Sequence, residues 1–158
     1  MLFLNKKGED FEIKTNSGRY KLNINGAVEI NSLEVIARTC DWVNGDSICD
    51  LLRAIRAKNP SGEVVHLIMD NARYNRSKKV QELAKELGID LVYLPPYSPN
   101  LNPIERLWKF FKKKILYNKH YEDFPNFEEA CVNFFRYIRK YRDELSTLLT
   151  DNFEVLGT

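Results

Sequence analysis

The chain has 158 residues, enough for one domain with a sizeable core, and an apolar fraction of 44% with nine Phe, eight Tyr and two Trp excludes a disordered tail. Its 24 basic residues nearly balance 22 acidic ones, so the formal charge of +2 names no partner and only local clustering is informative. Three cysteines without a C-x-x-C pair and only two histidines argue against a disulfide framework or structural zinc, and no apolar run reaches the roughly 18 to 20 residues of a membrane span.

In chain order, residues 19 to 30 alternate, with Tyr20, Leu22 and Ile24 on one face and Gly26 as a bulge or close-approach point before Val28 and Ile30. Asn31-Ser32 turns the chain into a second strand, Leu33 to Thr39, so this part is an antiparallel hairpin. Asp46-Ser47 is read as the cap of a helix running to about Ala57, with Ile48, Leu51, Leu52 and Ile55 at i, i+3, i+4, i+7 and with Arg53 and Arg56 on the far face. Val64 to Met69 is a near-continuous apolar run, as a strand covered on both faces requires, and Asp70 stands at its end. Ser77 to Leu87 reads as an amphipathic helix closed by Gly88, and Ile89 to Leu94 as another buried strand, which together make a parallel crossover unit. After a turn-rich Pro95 to Leu101, one helix starts near Asn102 and reaches residue 116 or beyond, and a last long helix spans Asn126 to Leu149. The fold class is α/β, a mixed sheet flanked by helices in a single domain over residues 1–158. Trp42, Trp108 and His66 are read as core residues, and Phe134, Phe135, Ile138 and Tyr141 as packing positions amid Arg136, Arg139, Lys140 and Arg142.

Asp70 and Glu105 both fall at element ends, where side chains converge. Phosphodiester chemistry commonly uses two Mg²⁺ or Mn²⁺ ions roughly 3.5 to 4 Å apart, and such hard ions take carboxylate oxygens. Each residue also has a plainer reading. Asp-Asn after a strand is a common turn opener. In Asn102-Pro103-Ile104-Glu105 the Asn suits a helix cap, the Pro the first helical position, and the Glu three residues after the cap completes a capping box. Spacing alone leaves the choice open.

The stretches LIMDNARYNRSKK (67 to 79) and LVYLPPYSPNLNPIERLWKFFKKKI (91 to 115) closely resemble the DDE domain of bacterial insertion-sequence transposases of the mariner-like superfamily. In that family the second metal-binding Asp opens an Asp-Asn-Ala motif and the last ligand is the Glu of Asn-Pro-Ile-Glu. Here these are Asp70 and Glu105, with 34 residues between them. The resemblance implies that both are catalytic metal ligands for Mg²⁺ or Mn²⁺, and that Pro95-Pro96-Tyr97-Ser98-Pro99 is a rigid loop presenting Glu105. It implies a ribonuclease-H-like fold, DNA partners (transposon ends and target), a homodimer, and a place in the prokaryotic cytosol in association with the nucleoid. Asn75 stands where many relatives carry histidine, which weakens any proton-relay role there. The likeness is strong over 64 to 120 and softer over 19 to 63 and 121 to 150.

The family's first catalytic Asp lies on the first, central strand of the sheet, and only 18 residues precede the hairpin. The expectation is therefore a chain shortened upstream, without that strand, without the third ligand and without an N-terminal helix-turn-helix region. Asp10 is the sole upstream aspartate and sits in a loop-like setting; Asp41, Asp46 and Asp50 are read as turn and cap residues. Residues 1 to 14, or exchange between two chains, are expected to fill part of the gap.

From Glu105 to His120 the chain carries Arg106, Lys109, Lys112, Lys113, Lys114 and Lys119 against one acid, behind an apolar stripe of Ile104, Leu107, Trp108, Phe111 and Ile115. Such a face is either solvated lysine surface or a phosphate-neutralising surface, and next to a phosphodiester site the second is preferred. Arg73, Arg106, Lys109, Lys112 and Lys113 form the expected DNA-contact set. The whole reads as a DNA transposase catalytic domain impaired by a missing ligand. The alternative is a non-catalytic DNA-binding or dimerisation remnant; an unrelated nuclease of the same fold would need a third carboxylate near the pair.

Overall fold

A computed structural model describes residues 2–4, 9–15, 18–96 and 102–150, with side chains over 21–96 and 102–149. Its frame is an antiparallel pair, β3 (Gly18–Glu29) and β4 (Val35–Cys40), in register from Asn23 opposite Cys40 to Val28 opposite Val35. The turn between them is closed at Leu33, whose φ of 59° is left-handed. Gly26 is a close-approach point, because a Cβ there would lie 2.8 Å from the Ile36 carbonyl oxygen.

The crossover unit is β5 (Val65–Met69), α2 (Lys78–Glu86) and β6 (Ile89–Tyr93), with β5 and β6 parallel from Val65 opposite Ile89 to Met69 opposite Tyr93. Gly88, with φ of 65°, reverses the chain between α2 and β6, where a side chain would be strained. Upstream, β1 (Leu2–Leu4) and β2 (Glu9–Thr15) both run antiparallel to β3, Leu2 opposite Glu29 and Glu9 opposite Ile24. Because β4 pairs with residues 23 to 28 of β3, β1 and β2 share the other edge.

The sheet order is β2-β3-β1-β5-β6, with β4 on β3. This corrects one expectation: the central place is not empty. β1 fills it, antiparallel to β3 and parallel to β5, with Leu2 opposite Leu67 and Phe3 opposite Ile68. The unpaired backbone groups of a gap are costly, and the segment 1 to 14 expected to relieve them does so.

The sheet separates two cores. On one side α1 (Gly45–Lys58) and α2 pack Ile48, Leu51, Leu52, Ile55, Val80 and Ala84 against Ala27, Leu67 and Met69. On the other, α3 (Ile104–Ile115) and α4 (Phe124–Arg136) cover Leu22, Ile24 and Val28 with Leu107, Trp108, Phe111 and Phe127. The predicted stripe of α3 is buried throughout. The cap of α1 lies earlier than expected: the Asn44 side chain accepts from the backbone N–H of Asp46 and Ser47, and Ser47 returns a bond in a capping box.

The predicted last helix is three pieces: α4, a 3-10 turn (Ile138–Tyr141) and α5 (Arg142–Thr150). No Gly or Pro forces the break. It buries Ile138 and stacks Tyr141 on Phe134 at 5.3 Å, so tertiary packing overrides a periodic pattern. Two single-residue expectations are also corrected. Trp42 is 73% exposed in the loop before α1. His66 is exposed on β5, where its Nδ1 meets the Asp90 carboxylate at 2.9 Å.

Candidate active site

Leu67 and Met69 pack toward α1 and α2, while Ile68 packs with the α3 cluster. By the alternation of a strand, Asp70, the first residue after β5, falls on the α3 side. Its Oδ1 accepts two hydrogen bonds, from the Ala72 backbone N–H at 3.1 Å and from the Asn75 Nδ2 at 2.7 Å. The first makes a local Asp turn.

Asn75 is fully buried in a short 3-10 turn, Arg73–Arg76. Its Oδ1 is buried with no hydrogen-bond partner, a cost of about 1 to 3 kcal/mol that turning the amide over would not relieve, since Oδ1 would then face a carboxylate.

Around this pair the loop is tied to the end of β6. The Tyr93 hydroxyl donates to the Asn75 carbonyl at 3.0 Å, the Asn71 Nδ2 donates to the Leu94 carbonyl, and Leu94 N–H donates to the Met69 carbonyl at 2.8 Å. Arg76 donates through Nε to Asn71 Oδ1 at 2.9 Å and lies 4.3 Å over the Tyr93 ring. Burial pushes the Tyr93 hydroxyl up in pKa, so it stays a donor near neutral pH. The strand that carries Asp70 and the segment leading into Pro95-Pro96 are thus one hydrogen-bonded unit. Asn71, Arg76 and Tyr93 were not singled out from the sequence, although all three lie within the two stretches that carry the resemblance.

Glu105 sits half-buried in the first turn of α3. The helix begins behind Asn102, whose Oδ1 accepts from Ile104 N–H at 3.3 Å and whose carbonyl accepts from Glu105 N–H at 3.2 Å. One turn further on, Trp108 Cζ2 would lie 3.4 Å from a Cβ at Gly26, so α3 crosses the sheet where β3 is bare. Tyr97, Ser98 and Pro99 of the presenting loop lie outside the described residues, as does the side chain of Asp10. Asp46, in the first turn of α1, pairs with Lys79 at 2.6 Å, whereas Asp50 lies inside α1 rather than at a turn or cap and pairs with Arg53 at 3.0 Å. Among the described residues no group of three or more His, Cys, Asp or Glu side chains could hold a metal ion. Two carboxylates are nonetheless the donor type that Mg²⁺ and Mn²⁺ prefer.

Arg106, Lys109 and Lys113 line a cavity of about 540 Å³ between α3 and α5, with Phe110, Glu144, Thr147 and Leu148. Arg106 donates to the Leu148 carbonyl at 3.1 Å; Lys109 and Lys113 are exposed, as is Arg73, while Lys112 is half-buried.

A family model for DDE superfamily endonucleases matches residues 3–128. The chain belongs to that family. It is 25% identical over 146 residues to the insertion element IS630 uncharacterized 39 kDa protein of Shigella sonnei, covering 90% of this chain and 39% of that protein. It is 35% identical over 65 residues to the uncharacterized protein y4pE/y4sA of Sinorhizobium fredii (strain NBRC 101917 / NGR234), covering 41% of this chain and 46% of that protein. The chain therefore spans less than half the length of these relatives. Among solved structures, the catalytic domain of Mos1 mariner transposase matches with a TM-score of 0.64 at 16% identity, over 95% of this chain and 80% of that one. The same domain with raltegravir and Mn matches at 0.64, and with Mg at 0.63. At such identity the likeness is one of fold, and it bears out the ribonuclease-H-like mixed sheet for this DDE chain. Among the described residues no helix is long and apolar enough to cross a membrane.

Proposed function

We propose that this chain carries the catalytic core of a DNA transposase, in which Asp70 and Glu105 hold Mg²⁺ or Mn²⁺ and cleave and join phosphodiesters at transposon ends and target DNA. The observation that carries the reading is the Asp70 carboxylate, held by two hydrogen bonds at the end of a central strand, in a chain of the DDE family. Bound divalent ions supply a polarised attacking oxygen and neutralise the leaving one. The chain's own residues orient the carboxylate at Asp70, bring a second carboxylate on a rigid helix at Glu105, and offer Arg73, Arg106, Lys109, Lys112 and Lys113 to phosphates. A Mn²⁺-dependent nicking assay on supercoiled DNA tests it: activity should appear with the wild-type chain and vanish in Asp70→Ala, and equal activity in both would sink the assignment.

A second reading, a DNA-binding or dimerisation remnant without chemistry, is favoured by one observation: β1, which fills the place of the family's first strand, is Leu2-Phe3-Leu4 and contains no acid. Metal-independent DNA binding with no nicking by any variant would select it. A homodimer acting in a prokaryotic cytosol, in association with the nucleoid, belongs to both readings. The dimer is supported by exposed apolar side chains beside the edge strand, Val92 of β6 at 41% and Val64 just before β5 at 61%, and a monomer by light scattering at high protein concentration counts against it.

A further inference from the structure

We propose that Asn75 is the positioning residue for the Asp70 carboxylate, an inference that rests on the metal-site reading above. A carboxylate on a single Cβ turns about two torsions, and a metal ligand is useful only when that freedom is removed before the ion arrives. Here the Asn75 amide removes it. Its Nδ2 lies 2.7 Å from Asp70 Oδ1 and 3.4 Å from the Asp70 carbonyl, so one donor group spans side chain and main chain of the same residue.

The amide is itself immobile. The residue is fully buried, its backbone N–H donates to the Ala72 carbonyl at 3.0 Å, and its backbone carbonyl accepts from the Tyr93 hydroxyl at 3.0 Å. Tyr93 in turn lies under Arg76, which reaches Asn71, which reaches the Leu94 carbonyl. The support for Asp70 therefore runs through β6, on the path to the helix that carries Glu105.

The chemistry of the donor suits the task. A lysine or arginine there would bring a positive charge into the place meant for a cation, whereas a neutral amide leaves the carboxylate's charge to the ion. Both of these hydrogen bonds converge on Oδ1. The buried amide Oδ1 is what this arrangement gives up: Asn75 keeps an acceptor without a partner because its donor is committed to Asp70.

The experiment uses the full chain and Mn²⁺ alone, with free Mn²⁺ counted by electron paramagnetic resonance and the side-chain amides followed by ¹⁵N NMR. Asn75→Leu, of similar size without a donor, should weaken Mn²⁺ binding about 10- to 100-fold, and Asn75→His, which keeps an N–H, should recover much of it. In Asp70→Ala the Asn75 amide signals should shift and their protons exchange faster. Equal Mn²⁺ binding by wild type and Asn75→Leu, or Asn75 signals that ignore Asp70→Ala, overturns this proposal alone; a wild-type chain that takes up no Mn²⁺ overturns the metal reading and this proposal with it. If Asn75→Leu does not fold, the Asp70→Ala spectrum decides.

Discussion

At the scale of single residues, Asp70 follows a strand whose parallel neighbour is followed in the sequence by an amide. β1 and β5 are parallel neighbours with Phe3 opposite Ile68; Asp70 is the residue after β5, and the residue after β1 in the sequence is Asn5. Oxygen donors for a hard divalent ion need charge as well as geometry, and an amide supplies less of it than a carboxylate. Asn5→Asp is therefore expected to tighten Mn²⁺ binding and to raise nicking above the wild-type level, read by calorimetry and by the same plasmid assay; a variant that is folded yet no better on either measure counts against a shared site. The motif is what singles out Asp70 and Glu105 as candidates in the sequence, because a tripeptide and a tetrapeptide at fixed separation are specific where a lone carboxylate is not. The support around Asp70 was not legible. Asn75 read as a departure from its relatives, and only the fold shows its amide turned onto the carboxylate. His66 and Trp42 misled for a related reason: residue type suggests burial, but exposure depends on whether another layer reaches that part of the chain, a strand for His66 and the loop before α1 for Trp42.

At the scale of elements, local pattern and tertiary contact made separable contributions. The hairpin, the crossover unit and α3 were readable from alternation in residues 19 to 30, from a continuous apolar run in Val64 to Met69, and from a helical stripe in α3. The segment after residue 124 was not, because its helical period continues through a break that only aromatic stacking on α3 explains. α4 also carries a group whose titration reports on that packing. Cys131 is fully buried, and burial, assisted by the nearby Glu128, pushes its thiol up to about 12 from an ordinary value of 9.0. The folded state thus keeps a proton that the unfolded chain releases near pH 9, so the associated stability is present in full below that pH and drains away as pH climbs toward 12, by about 1.4 kcal/mol per pH unit. Urea denaturation at pH 8 and pH 10.5 should show a smaller loss in Cys131→Ala than in wild type; parallel losses would mean that the thiol does not contribute.

At the scale of the whole molecule, charge is distributed unevenly although its sum is near zero. Lys109 and Lys113 project from α3 beside Arg106, on the side of the sheet toward which Asp70 is directed. If they meet phosphates, Lys109→Ala combined with Lys113→Ala should lower the slope of log affinity for duplex DNA against log salt by about 2, with little change in preference among sequences. An unchanged slope would return that face to solvent. The sheet itself has a narrower bond at its middle than at its flanks. β3 and β4 are joined over six facing pairs and β5 and β6 over five, while among the described residues β1 faces β5 at two, Leu2 with Leu67 and Phe3 with Ile68. A ladder that short is a seam. Across it the hairpin half and the crossover half are held by the layers on either face, Ala27 sharing a core with Leu67 and Met69 and Ile68 packing with the core of Leu22, Ile24 and Val28, so the midline depends on its helices more than on its rungs.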